Sequence, residues 1–73
     1  MTKWIKVEHD LPETFTDVWF HYLRDGHKKM IGKGHYDGSF WNLCGLYSST
    51  QLTNDPKLII VTHWKEIEWP ELD

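Results

Sequence analysis

Apolar and polar side chains alternate every second residue through most of this chain, which is the period of a strand and not the 3.6-residue period of a helix. Trp4-Ile5-Lys6-Val7 alternates and is rich in β-forming residues, and Pro12, at the end of Glu8-His9-Asp10-Leu11-Pro12, blocks further ladder pairing. From Asp17 to Arg24, Val18, Phe20 and Tyr22 share one face and Trp19, His21 and Leu23 the other, and Asp25-Gly26 supplies a turn. Met30 to Asp37 returns antiparallel, with Gly32 and Gly34 on the face of Met30 and Tyr36, where the missing side chains leave room for a large ring. Trp4 or Trp41 is expected to fill that room. Asp37-Gly38 makes the next hairpin turn, and Ser39 to Leu43 forms a short strand with Phe40 and Trp41 on opposite faces.

From Cys44 to Lys57 the chain is polar, carries turn residues and keeps no period, so it reads as one long loop. A loop of that length in a small domain is more often functional than incidental. Leu58 to Ile67 closes the fold as a long strand with Ile59, Val61 and His63 on one face and Ile60, Thr62 and Trp64 on the other, and its apolar start points to a central position. Helix is confined to a turn near Glu13-Thr14-Phe15. The expectation is a mainly β single domain over residues 1–73, with five antiparallel strands in a curled sheet or an SH3-like barrel and one long loop.

Composition changes this picture in one respect. A chain of 73 residues removes only about 60% of its unfolded surface from water, so its core must be dense, and five Trp, three Tyr and three Phe supply that density. The single cysteine, Cys44, excludes an internal disulfide as a staple. No apolar run approaches the roughly 18 residues that cross a membrane, and the first residues lack a signal-peptide core, so a cytoplasmic protein without membrane contact is expected. The net charge of −3 lies wholly in the second half, since residues 1–37 carry six basic and six acidic side chains. Glu66, Glu68, Glu71 and Asp73 disfavour a phosphate-binding surface at that end.

The opening Trp4-Ile5-Lys6-Val7, the Leu11-Pro12-Glu13 stretch, Val18-Trp19-Phe20, the Gly34-His35-Tyr36-Asp37-Gly38 hairpin with Trp41, and the closing Val61-Thr62-His63-Trp64 followed by Pro70 together resemble the family called "domain of unknown function 551". Val-Thr-His-Trp and the opening Trp-Ile with Leu-Pro are its most specific parts. The resemblance spans nearly the whole chain and implies a short phage or prophage protein. It implies no activity, substrate or catalytic residue. In place of the family's proline-rich ending, Lys65 to Trp69 precede a single Pro70.

Candidate chemistry is sparse. His21, His35, His63 and Cys44 are the residues that adjacent strands could bring to a zinc ion, but none has zinc-finger spacing, so no metal or other cofactor is expected. His63 is instead expected to pin the long loop to the sheet. Cys44 lacks a helix N-terminus to activate it as a nucleophile, and Asp10, Glu13 and Asp17 sit where carboxylates shape turns. Gly32-Lys33-Gly34 lacks the third glycine and the helix of a dinucleotide loop. No catalytic residue, and no enzymatic activity, is expected.

The expected role is protein binding by a phage accessory protein, including inhibition of a host enzyme or defence complex of the anti-CRISPR kind. Leu46, Tyr47 and Leu52 on the long loop are the expected anchors, with Glu66 and Glu68 steering a basic partner. A homodimer through an exposed strand edge is compatible with this. The main alternative is nucleic-acid binding by Arg24, Lys28, Lys29 and Lys33 around the first hairpin, with Trp19 or Phe40 as a stacking platform. The third is a metal-stapled structural protein.

Overall fold

Five strands form where alternation predicts them, and a sixth forms in the segment read as a loop. In a computed structural model, which describes residues 3–45 and 47–68, β1 spans Ile5–Lys6, β2 Val18–Arg24, β3 Lys28–Tyr36, β4 Trp41–Cys44, β5 Ser49–Gln51 and β6 Ile59–Glu66. They make one antiparallel sheet in the order β1-β6-β2-β3-β4-β5, which stays open and does not close into a barrel. No helix forms among the described residues, and none there is long and apolar enough to cross a membrane. β2 to β5 are a meander. β6 then crosses back to lie between β1 and β2, the interior place its apolar start predicts.

Turn chemistry sets the meander. Asp25 and Gly26 both take positive φ, 55° and 77°, as a tight hairpin turn with right-handed strand twist requires. At the second turn Asp37 Oδ1 accepts the backbone N–H groups of Ser39 at 2.9 Å and Phe40 at 2.7 Å, and Gly38 has φ of 100°. The segment read as one long loop contains a third hairpin. Gly45 N–H donates to Ser48 O at 2.7 Å, and β5 pairs with β4 through Asn42–Gln51, Leu43–Thr50 and Cys44–Ser49. All three β5 side chains are exposed and polar, so no hydrophobic period marks the strand in sequence; the turn and the backbone ladder define it.

The core lies on one face. Val18, Phe20 and Tyr22 of β2 are buried with Trp41 of β4 and Trp64 of β6, and the Phe20–Trp41 and Tyr36–Trp41 ring centroids lie 5.1 and 5.0 Å apart. Gly32 and Gly34 face this core, yet Trp4 and Trp41 do not fill the space above them. The Leu43 side chain occupies it at Gly32, while at Gly34 the backbone of Asn42 and the Phe20 ring close in.

Strict alternation fails in β6. The β2–β6 register runs Arg24–Ile59, Leu23–Ile60, Tyr22–Val61, then His21–His63, Phe20–Trp64 and Trp19–Lys65, which leaves Thr62 as an extra, bulged residue. The bulge puts Ile59, Val61 and Trp64 on the core face and Ile60, His63 and Lys65 on the opposite one. His63 therefore does not pin the long loop. That segment is held by Leu52 N–H to Trp41 O at 2.8 Å and Asn54 Nδ2 to Ser39 O at 3.1 Å. Trp64 holds a different loop, its indole N–H donating to Asp10 O at 2.9 Å beside the buried Pro12.

Candidate functional site

The second face of the sheet follows from the same register. Trp19 sits between Lys65 of β6 and Lys33 of β3, and Trp4, just before β1, lies with the Lys65 ammonium 4.9 Å from its ring centroid. Trp4, Lys65, Trp19 and Lys33 thus form a row of alternating rings and cations that crosses β6, β2 and β3, with Trp4 beside β6. The next row is Lys6, His63, His21 and Ile31, and a third holds Ile60, Leu23 and Lys29. Ile31 is 63% exposed, and Trp4 and Trp19 are 39% and 37% exposed, because no element among the described residues covers this face. Within it Trp4, His21, Leu23, Lys29, Ile31, Thr62 and His63 line an open cavity of about 450 Å³.

The bulge builds the floor of that cavity. Thr62 Oγ1 lies 2.6 Å from His21 Nδ1 and 2.9 Å from His63 Nδ1, and its hydroxyl donates to His21 O at 3.3 Å. All three contacts are satisfied together only when both imidazoles carry a proton on Nδ1, which leaves each neutral ring with Nε2 as an acceptor. The two rings meet edge to face with centroids 6.0 Å apart. One hydroxyl therefore orients a histidine pair within apolar surroundings.

A second cluster lies at the far end of the same face. Cys44 Sγ is 3.8 Å from both Asp17 Oδ1 and His35 Nδ1, and the ligating atoms of the three residues all lie within 4.8 Å of one another. Burial pushes the Cys44 thiol up from its ordinary value, and the Asp17 charge and hydrogen bond push it further, against an opposing effect of Lys33. The protonated thiol that results is a weak nucleophile at neutral pH. Beside it, the Phe15 ring packs on His35 with centroids 5.7 Å apart.

The residues singled out from sequence divide between these places and others. Leu46 lies outside the described residues, as do Trp69, Pro70, Glu71 and Asp73. Tyr47, on the β4–β5 turn, is 98% exposed. Leu52 is not an exposed anchor, since it packs against the core and lines a crevice with Trp41 and Ile59. Glu66 is paired with Val18 in the register, and Glu66 and Glu68 are exposed at the end of β6, away from the β4–β5 turn. In the sheet, β2, β3 and β4 lie between β6 and β5. Of the basic hairpin residues, Lys29 and Lys33 join the second face, whereas Arg24 and Lys28 pair with each other beside the turn on the opposite alternation. Trp19 belongs to the second face, and Phe40, just before β4, is half-buried.

The histidines and cysteine considered for zinc also separate: His21 and His63 meet at Thr62, and His35 and Cys44 meet at Asp17. Trp4, Ile31, Ile60, Thr62 and Asp17 are the residues sequence reasoning did not assign to a site. A signal for Ile31 and Ile60 was present, because β2, β3 and β6 carry apolar residues at both alternations where a solvated face would be polar throughout.

No curated protein and no solved structure matches the chain. A family model described as "Protein of unknown function (DUF551)" matches residues 3–71, which include Trp4-Ile5, Leu11-Pro12 and the Val61-Thr62-His63-Trp64 segment that makes the bulge, so the chain belongs to that family.

Proposed function

We propose that this chain is a phage or prophage accessory protein that acts without catalysis, by binding a host or defence-system protein through the second face of its sheet. The observation that carries this reading is the uncovered apolar surface of Trp4, Trp19, Ile31 and Ile60, framed by Lys6, Lys29, Lys33 and Lys65. Exposed aromatic and aliphatic side chains with a charged rim are the anatomy of a protein interface. Lys6, Lys29 and Lys65 in these rows favour an acidic surface on the partner. A host enzyme or defence complex, CRISPR effectors included, is the class of target this reading covers. The protein acts in the host cytosol, where such a target resides.

The test compares capture from host lysate by the wild-type chain, Ile31→Glu and Tyr47→Ala after nuclease treatment. The reading expects one protein held by the wild type and by Tyr47→Ala and lost with Ile31→Glu. Equal capture by all three, or loss only with Tyr47→Ala, would move the interface off the sheet.

The Trp4–Lys65–Trp19–Lys33 row favours a second reading. Alternating rings and cations across a sheet suit single-stranded nucleic acid, whose bases stack while phosphates meet lysines. This reading expects salt-dependent binding of a labelled oligonucleotide that Trp19→Ala weakens, and nuclease-sensitive capture in the lysate experiment.

A further inference from the structure

We propose that Asp17, His35 and Cys44 form a zinc-binding site. Three separate segments place the ligands: Asp17 immediately precedes β2, His35 lies in β3 and Cys44 ends β4. The β3–β4 register pairs His35 with Asn42, and Cys44 follows at the next position of the same alternation, so the thiol and the imidazole come from adjacent strands. Their donor atoms are one sulfur, one ring nitrogen and one carboxylate oxygen, a set that matches zinc chemistry. With ordinary zinc–ligand bond lengths, neighbouring corners of a tetrahedron lie about 3.5 Å apart. The two separations from Cys44 Sγ, 3.8 Å each, exceed that spacing by a few tenths of an ångström, and all three ligand atoms lie within 4.8 Å of one another.

A second observation concerns Phe15. Its backbone takes φ of 62°, a conformation rare for a bulky side chain, and is held there by its N–H donating to Tyr36 O at 2.9 Å. That backbone sets the ring against His35 although Phe15 remains 73% exposed. Strained residues of this kind collect at functional sites, and here the Phe15 ring lies beside the His35 imidazole, tilted 34° to it.

Three protein ligands leave the fourth corner to water or to a donor from a partner. Coordination replaces the thiol proton of Cys44, which passes to buffer, while His35 binds through neutral Nδ1. The ion would join the start of β2 to β3 and β4, a staple in a chain that has no disulfide. The site is independent of the partner reading above, since its ligands are distinct from the residues that line the cavity.

Chelator-treated protein titrated with zinc by calorimetry in two buffers, and with cobalt by absorption, tests the proposal. One ion per chain is expected, with proton release that makes the apparent heat depend on the buffer, and with a cobalt spectrum showing tetrahedral bands and a sulfur-to-metal charge-transfer band. Cys44→Ser should abolish the charge-transfer band. His35→Ala should weaken binding by more than the 10–100-fold typical of losing an outer-shell contact. His21→Ala and His63→Ala should leave binding unchanged. Zinc bound equally by Cys44→Ser, a cobalt spectrum without the sulfur band, or dependence on His21 and His63 would each overturn the assignment. Should Cys44→Ser fail to fold, Asp17→Asn keeps the thiol and must still weaken the ion; unchanged affinity there overturns the site equally.

Discussion

At the scale of single residues, a few atoms account for much of what this fold tolerates. Asp37 shapes the second hairpin, and the N–H groups of Phe40 and Ser39, aided by Asn42 and His35, hold its carboxyl below the ordinary carboxylate value against an opposing effect of burial. A group lowered in the folded state contributes its full stability above the unfolded pKa and loses it as pH falls through the folded one. Asp37→Asn should therefore give a shallower acid limb in melting temperature plotted against pH, with the largest difference from wild type on the neutral side. The two core-facing glycines differ for a geometric reason. A Cβ at Gly34 collides with the Asn42 backbone carbonyl, whereas at Gly32 it meets the end of the Leu43 side chain, which can rotate. Chemical denaturation should show Gly34→Ala costing about 3 kcal/mol and Gly32→Ala about 1 kcal/mol, the two ends of the overpacking range.

At the scale of elements, β6 shows what a two-residue period can and cannot reveal. Its existence and central place follow from the apolar run after Lys57, but the positions that face the core change sides at Thr62. A strand read without the bulge groups Trp64 with Ile60. The real strand groups it with Val61, because the extra residue restores Trp64 to the core, where its indole N–H meets Asp10. Deleting Thr62 should thus leave a regular strand with every other side chain on its present face, and the protein should keep its near-ultraviolet dichroism. Deleting Ile60 shifts the alternation and should unfold it. Thr62→Val keeps the bulge but removes the hydroxyl between the two imidazoles, and should cost about 1–2 kcal/mol in denaturation. The β4–β5 hairpin makes the complementary point, since a strand of exposed Ser, Thr and Gln leaves no hydrophobic trace.

At the scale of the whole molecule, an open single sheet has two faces and only one core. The chain spends Val18, Phe20, Tyr22, Trp41 and Trp64 on the first face and leaves Trp4, Trp19, Ile31 and Ile60 on the second. Closing into a barrel would add pairing between the outer strands. Instead β1 and β5 remain as short edges, two and three residues long, and such short edges give little template for pairing with another copy. Since Ile31 is mostly exposed, Ile31→Glu should change folding stability by no more than about 0.5 kcal/mol while abolishing partner capture, a separation that denaturation and capture measured on the same sample would show. Association should also slow as salt rises, because the lysines act at a distance before contact.

The sequence by itself determined the fold class, the meander, the turns at Asp25-Gly26 and Asp37-Gly38, and the buried face of β2, because local alternation and turn chemistry act over a few residues. It also showed the family, through short motifs of residues adjacent in the chain. Tertiary structure decided the rest: which face Trp64 and His63 occupy, that Asp17, His35 and Cys44 converge, that Leu52 is drawn into the core, and that the uncovered surface lies on the sheet. Each of these depends on pairing between segments distant in the chain, where one bulged residue reverses the alternation and cross-strand neighbours have no fixed spacing in sequence.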